Sequence, residues 1–416
     1  MSKQSLYKHQ LDIIREDKPK TGLFLGTGSG KTLIALLLAR GKTLVICPKT
    51  QKEDRNWERE AQKNNIKIDL TVISKESFRT MAHAMPFFDT VIVDEAHTCL
   101  GVTPNVRWVK KQAVPKTSQL FEELEKFVLR TKPSRLYLCT ATIIRSPMTV
   151  WGAGKILGKD WDFYKFRDIF YFQLPMPGRQ VFSPKVDEDT KEKLANLVRE
   201  IGHVGRLEDY FDVPDQTYRT VHVELSATQK ARIKEMSLEF PDPLVRVGKI
   251  NQIENGVLAG DEFSEPEVFT NEKIDVLLDY AIEFPKMVIF AKYTAQIAQI
   301  ASAMEKAGKK VLTLTGATKE RGEVIREAQE ASECVFIAQA QISAGWELPE
   351  FPVMIFASRT YSFVDYDQAL GRIQRANNIK KNLYINLVVK GGIDEAVDKC
   401  ISQKQDFNEK LYISQA

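Results

Sequence analysis

The chain has 416 residues, 43% of them hydrophobic and 27% charged, with 22 Gly and 17 Pro, a composition that excludes fibrous and disordered classes and a length that suggests two compact domains. Lys and Arg number 59 against 55 Asp and Glu, a net charge of +4, which permits nucleic-acid binding without arguing for it. The longest apolar run, Leu33 to Ala39, is too short to cross a bilayer, and the opening MSKQSLYKHQ is polar, so neither secretion nor membrane anchoring is expected.

Along the chain, short β-branched runs alternate with helical patterns: TGLFLG, KTLVICP, DLTVIS, DTVIVDEAH and RLYLCTAT in the first half. Such continuous apolar runs read as parallel strands joined by crossover helices, and place an α/β domain at about residues 1–205. Between TGLFL and the helix-like LIALLLAR, residues 25–32 read LGTGSGKT, the context a phosphate-binding loop requires. Gly26, Gly28 and Gly30 let backbone N–H groups face phosphates, with Thr27 and Ser29 between them. Lys31 supplies a point charge, and Thr32 a hydroxyl for Mg²⁺. The strict pattern wants Gly where this chain has Leu25.

VIVDEAH, residues 91–97, brings two carboxylates to the carboxyl end of an apolar strand, where ligands sit in open α/β sheets. Asp94 is expected to hold Mg²⁺, directly or through water, and Glu95 to polarise the water that attacks a γ-phosphate. His97 either couples this turn to the next motif or simply starts a helix. The hydroxyls of TAT, residues 140–142, offer such a coupling. Leu100 to Pro133 fits the alternation poorly and reads as an insertion. It carries VRWVKKQAVPKTSQ, in which Arg107, Trp108, Lys110, Lys111 and Lys116 either grip nucleic acid or form the solvated face of a structural hairpin.

A Pro- and Gly-punctuated stretch, LPMPGRQVFSPKVDEDT, leads through a helical segment to GRLEDYFDVPDQ, which opens a linker at 206–221. KMVIFAK, KVLTLTG, CVFIAQA, VMIFAS and LYINLVVK then mark a second α/β domain at 222–416, with an insertion at about 240–270. In QALGRIQR, residues 368–375, Arg372 and Arg375 fall three apart on an expected helical face. Their guanidinium forks suit the γ-phosphate of a nucleotide held by the first domain, or form a solvated basic face. Five cysteines, Cys47, Cys99, Cys139, Cys334 and Cys400, never occur as CxxC, which fits a reduced cytoplasmic setting and not a zinc site.

In this order the motifs resemble those of the superfamily 2 helicases and translocases with a DEAH box, and within them the SWI/SNF-like branch in a compact phage or bacterial form. LYKHQ resembles the adenine-reading glutamine motif, which assigns Gln10 a base edge. LVICPKT with Asn56, Trp57 and Glu60 is similar to motif Ia, VISKESF to motif Ib, VFIAQAQISAGWEL to motif V and QALGRIQRANN to motif VI. VELSATQKARI and KINQIENGVL also follow the family. The resemblance implies two RecA-like domains with mostly parallel sheets and an ATP site in the interdomain cleft. It further implies ATP and Mg²⁺ as cofactors and duplex or branched DNA as partner. Lys49, Lys75, Arg79, Lys292, Tyr293 and Lys319 lie where the family tracks a strand, with Trp108, Lys110 and Lys111 as additional contacts. The expected work is DNA translocation or unwinding at forks and junctions by a monomer in the cytoplasm, in replication, recombination or repair. An RNA helicase and a protein-remodelling ATPase are the alternatives.

Overall fold

The structure, a computed structural model, describes residues 6–174, 180–211, 214–260, 266–342, 346–374 and 381–403. The chain forms two compact units, Met1–Asp212 and Val213–Ala416. In the first, helices α1 (Lys8–Glu16), α2 (Lys31–Leu38), α3 (Lys49–Glu53), α4 (Asn56–Lys63), α5 (Lys75–Met81) and α6 (Gln119–Thr131) are interleaved with strands. These are β1 (Lys20–Leu25), β2 (Lys42–Cys47), β3 (Asp69–Ser74), β4 (Thr90–Asp94), β5 (Val102–Val109), β6 (Gln112–Thr117), β7 (Arg135–Cys139), β8 (Tyr171–Leu174), β9 (Val181–Pro184) and β10 (Gly202–Gly205).

Six of them make one sheet, β10-β1-β7-β4-β2-β3, in which every pair is parallel. Alternate residues feed two cores. Phe24, Leu44, Ile46, Val91 and Val93 lie in one, while Leu23, Leu25, Val45, Ile92 and Tyr137 lie in the other. Helices cover both faces, which is why β4 is buried at all five positions and why the strand sequences show no polar alternation.

The second unit repeats this layout. Strands β11 (Thr217–Val223), β12 (Val257–Leu258), β13 (Glu267–Val268), β14 (Lys286–Ala291), β15 (Val311–Leu314), β16 (Cys334–Gln339), β17 (Val353–Phe356) and β18 (Leu383–Val389) are present. The sheet order is β11-β18-β17-β14-β16-β15, again parallel throughout. Phe290, Phe336 and Phe356 pack on one side, and Ile289, Ile337 and Ile355 on the other. Both units are thus α/β with a large parallel sheet, the arrangement of RecA-like domains. No helix among the described residues is long and apolar enough to cross a membrane.

Two expectations change. The segment 100–133 is not one insertion. Its first part is the antiparallel hairpin β5–β6, but α6 is an ordinary crossover helix that buries Phe121, Leu124 and Phe127. The span expected as linker, 206–221, contains the start of β11, which pairs with β18 from Thr217↔Leu383 onward and stacks Tyr218 on Tyr384 at 5.2 Å. The segment 240–270 contributes a helix, Pro243–Glu254, and the two-stranded β12–β13 ribbon outside the main sheet.

Candidate functional site

Three motifs converge at one sheet edge in the first unit. The phosphate-binding loop follows β1, TAT follows β7 and the acidic turn follows β4, and these strands are neighbours in the order β1-β7-β4. The register aligns Leu23 with Cys139 and Cys139 with Asp94, so hydroxyls and carboxylates leave the sheet at one level and the loop two residues further along, after Leu25, all at its carboxyl end.

The loop turns through left-handed Gly28 (φ 81°) and Gly30 (φ 83°), conformations for which Gly carries no steric penalty. At Gly30 a Cβ would also meet Gln10 Nε2 at 2.3 Å. Gly26 differs from expectation: its N–H donates to Gly205 O at 2.8 Å, extending the β1–β10 ladder. Lys31 Nζ donates to the carbonyls of Leu25 (2.7 Å) and Gly26 (2.9 Å). Thr32 follows in the first turn of α2. Ser29 Oγ donates to Gly26 O at 2.7 Å, which tightens the loop.

Gln10, expected at a base edge, is buried and turned onto the loop. Its Nε2 donates to Ser29 O (3.2 Å) and its Oε1 accepts from the Tyr7 N–H (3.0 Å). His9 does the same: Nε2 donates to Ser29 O at 2.9 Å, and the ring stacks on Tyr210 at 4.1 Å. Two side chains of α1 therefore hold one loop carbonyl. His9 is not singled out by the sequence, because a polar residue at a helix start carries no local signal of burial.

Asp94 ends β4 in the interior. Oδ1 accepts from Glu95 N–H (2.9 Å), and Oδ2 accepts a long bond from Trp57 Nε1 (3.4 Å). Burial, and then the adjacent Glu95 charge, push its pKa up to about 6. Glu95 has left-handed backbone (φ 44°), and its Oε2 is buried without a hydrogen-bond partner among the described residues. His97 Nδ1 lies 2.8 Å from Thr140 Oγ1 and 3.5 Å from Thr142 Oγ1, so the coupling of acidic turn to TAT is present as geometry. Burial, and then the charges of Lys75 and Arg145, push the His97 pKa down to about 3. The ring is neutral, and its 3.5 Å approach to Glu95 Oε2 is not an ion pair.

The donors suit Mg²⁺: the carboxylate of Asp94 and the hydroxyl of Thr32 are hard oxygens of the kind this ion takes. Bound there with ATP, Mg²⁺ would supply positive charge to the phosphate oxygens.

The candidate strand contacts divide. Lys49 is exposed and 3.6 Å from Glu53, and Arg79 and Lys319 are exposed. Trp108 is 74% exposed, and Lys110 and Lys111 form the hairpin turn with φ of 46° and 65°. Arg107 instead pairs with Glu122 at 2.6 Å. Lys75 is corrected outright: it is buried, and its ammonium donates to Glu95 O (2.9 Å) and Thr98 Oγ1 (2.5 Å).

In the second unit Lys292 sits over the rings of Tyr361 (3.6 Å) and Tyr293 (5.2 Å). Tyr293 OH donates to Asn251 Oδ1 at 2.7 Å. Asn251 Nδ2 in turn donates to Asp394 Oδ1, whose Oδ2 is 2.5 Å from the buried Lys273 ammonium. The pair 292–293 thus rests on a buried polar network supplied partly by KINQIENGVL.

The helix expected over the arginine pair ends at Leu370, and Arg372 lies in the turn beyond it. It is buried, with Nε donating to Gln368 O (3.0 Å) and Nη1 to Trp346 O (3.0 Å). Arg375 lies outside the described residues. Arg372→Ala is accordingly expected to destabilise the chain by about 1–3 kcal/mol for each carbonyl left unpaired. Chemical denaturation checks this, and an unchanged midpoint would contradict the anchoring role.

Residues 272–377 match the family model described as the helicase conserved C-terminal domain. No curated protein matches the chain. Over these residues the second unit is similar to C-terminal domains of the helicase superfamily 1/2 type, which supports a helicase-type ATPase acting on nucleic acid.

Proposed function

We propose that the protein is an ATP-dependent DNA helicase or translocase that works on branched DNA. The observation that carries the ATPase part is the shared strand edge on which the loop, the acidic pair and the His97–Thr140 contact meet. In this reading Lys31 and the loop N–H groups bind the phosphates. Asp94 and Thr32 hold Mg²⁺, and Glu95 takes up the proton of the attacking water. Arg372 and Arg375 serve the γ-phosphate, Arg372 through the turn it anchors. Within superfamily 2 the SWI/SNF-like motif order favours duplex DNA over RNA.

For branched DNA the support is the hairpin β5–β6. Its tip combines an exposed indole with two lysines held in left-handed backbone, where Gly or Asn is the usual choice. Tyr164 OH donates to Ala113 O at 3.3 Å and Thr103 Oγ1 to Lys116 O at 3.1 Å, so the ribbon projects from braced strands. A base stacked on Trp108 is worth about 1–3 kcal/mol, and the lysines add phosphate contacts that weaken with salt.

Replacing 103–116 with a Gly-Ser turn, leaving α6 intact, is expected to spare basal ATP hydrolysis and to slow unwinding of forks and four-way junctions about tenfold or more. The panel is blunt duplex, 5′- and 3′-tailed duplex, three-strand fork and four-way junction, with an RNA duplex alongside. Normal processing of branched DNA by the shortened protein would remove the hairpin from the account, and preference for the RNA duplex would overturn DNA as substrate.

A further inference from the structure

A buried ammonium is a demanding thing to place, because taking the ion out of water costs several kcal/mol unless nearby acceptors compensate. Lys75, the first residue of α5, is 6% exposed. Its two acceptors, Glu95 O and Thr98 Oγ1, both belong to the acidic turn, far from α5 in sequence. Thr98 Oγ1 itself donates to Glu95 O at 2.9 Å, and the Thr98 N–H donates to the same carbonyl at 3.0 Å. Three donors therefore meet on one oxygen, and Lys75 is the one that comes from outside the turn.

That carbonyl belongs to a strained residue. A left-handed glutamate costs about 1–2 kcal/mol, and Glu95 adopts this backbone with φ 44°. Its N–H is held by Asp94 Oδ1 and its C=O by Lys75 and Thr98. The carboxylate oxygen Oε2 makes no hydrogen bond of its own among the described residues. His97 Nδ1 approaches that oxygen no closer than 3.5 Å, so the part of Glu95 that hydrogen bonds hold is its backbone. Arg79, one helical turn beyond Lys75, is exposed, so α5 presents one basic residue outward and drives the other into the acidic turn.

We propose that Lys75 is a positioning residue for ATP hydrolysis: its ammonium clamps the Glu95 carbonyl and so keeps the Glu95 carboxylate directed at the attacking water. The inference rests on the ATPase reading above. It assigns Lys75 no contact with nucleotide or nucleic acid. Its effect passes through Glu95, which separates it from a general contribution to packing.

The test compares wild type, Lys75→Met, Glu95→Gln and the double variant, each with ATP and Mg²⁺ and in single-turnover format. Lys75→Met is expected to lower kcat by roughly 10- to 100-fold, with nucleotide affinity changed less than about threefold. In the Glu95→Gln background it should lower the residual rate by no more than about twofold, because residues that act as a unit are not additive. Ethylammonium added to Lys75→Ala should restore turnover several-fold where ethanol does not. Thr98→Val, which loosens the same carbonyl from the turn side, should repeat the kcat loss in milder form and decides the matter if Lys75→Met does not fold. A wild-type rate in Lys75→Met, or a full multiplicative loss in the double variant, would overturn the clamp while leaving the ATPase reading intact. A wild type that hydrolyses no ATP under any condition would bring down both.

Discussion

Lys31→Ala is expected to lose ATP turnover by about 100-fold or more while keeping its fold. The position argues for both halves. Lys31 follows left-handed Gly30 at the head of α2, where the helix N-terminus and the loop already favour an anion. Its ammonium donates to the carbonyls of Leu25 and Gly26, so the charge is kept at the loop. Core packing is not involved, because the residues of α2 that fill the core are Ile34, Ala35, Leu36 and Leu38. Steady-state hydrolysis with a thermal melt of the same preparation checks this, and near-normal turnover in a folded variant would exclude this loop as the ATP site.

Glu95→Gln is expected to bind ATP with Mg²⁺ and hydrolyse it very slowly, by a factor comparable with or larger than that of Lys31→Ala. Gln keeps the size of the side chain and leaves the clamped backbone as it is, but it cannot take up a proton from water. Asp94 remains to hold the metal, so nucleotide affinity should change little. Equilibrium binding of a fluorescent ATP analogue, measured beside turnover, separates the two effects. Equal losses in affinity and rate would make Glu95 a metal ligand or a structural residue instead.

The parallel strands are legible because burial on both faces writes them as unbroken apolar runs, as in VIVDEAH and KMVIFAK. The edges are not. GHVG in β10 and TYRTVHV in β11 are short or largely exposed, so their place in the sheets comes from pairing with distant strands rather than from their own pattern. The helix α6 is hidden by its neighbour: Phe121, Leu124 and Phe127 recur at helical spacing, but the hairpin ahead of them makes the whole segment look foreign.

At the site, the loop and the acidic pair can be identified from residue type and order. What surrounds them cannot. Lys75 reads as a strand contact until the Glu95 carbonyl is found beside it, and Trp57 reads only as part of motif Ia until its indole N–H is found facing Asp94. Arg372 misleads in the opposite way, since Gly371 ends the helix before it and its guanidinium turns to backbone carbonyls of its own unit.

We propose that ATP hydrolysis at the loop and acidic pair is driven by DNA. The most direct test is the rate of ATP hydrolysis by the purified full chain, alone and with duplex, forked and single-stranded DNA or RNA, with Lys31→Ala as control. Slow basal turnover is expected, with strong stimulation by DNA and most by forked DNA, weak stimulation by RNA, and loss of all of it in the control. Turnover that no nucleic acid changes, or that survives in Lys31→Ala, would contradict the proposal.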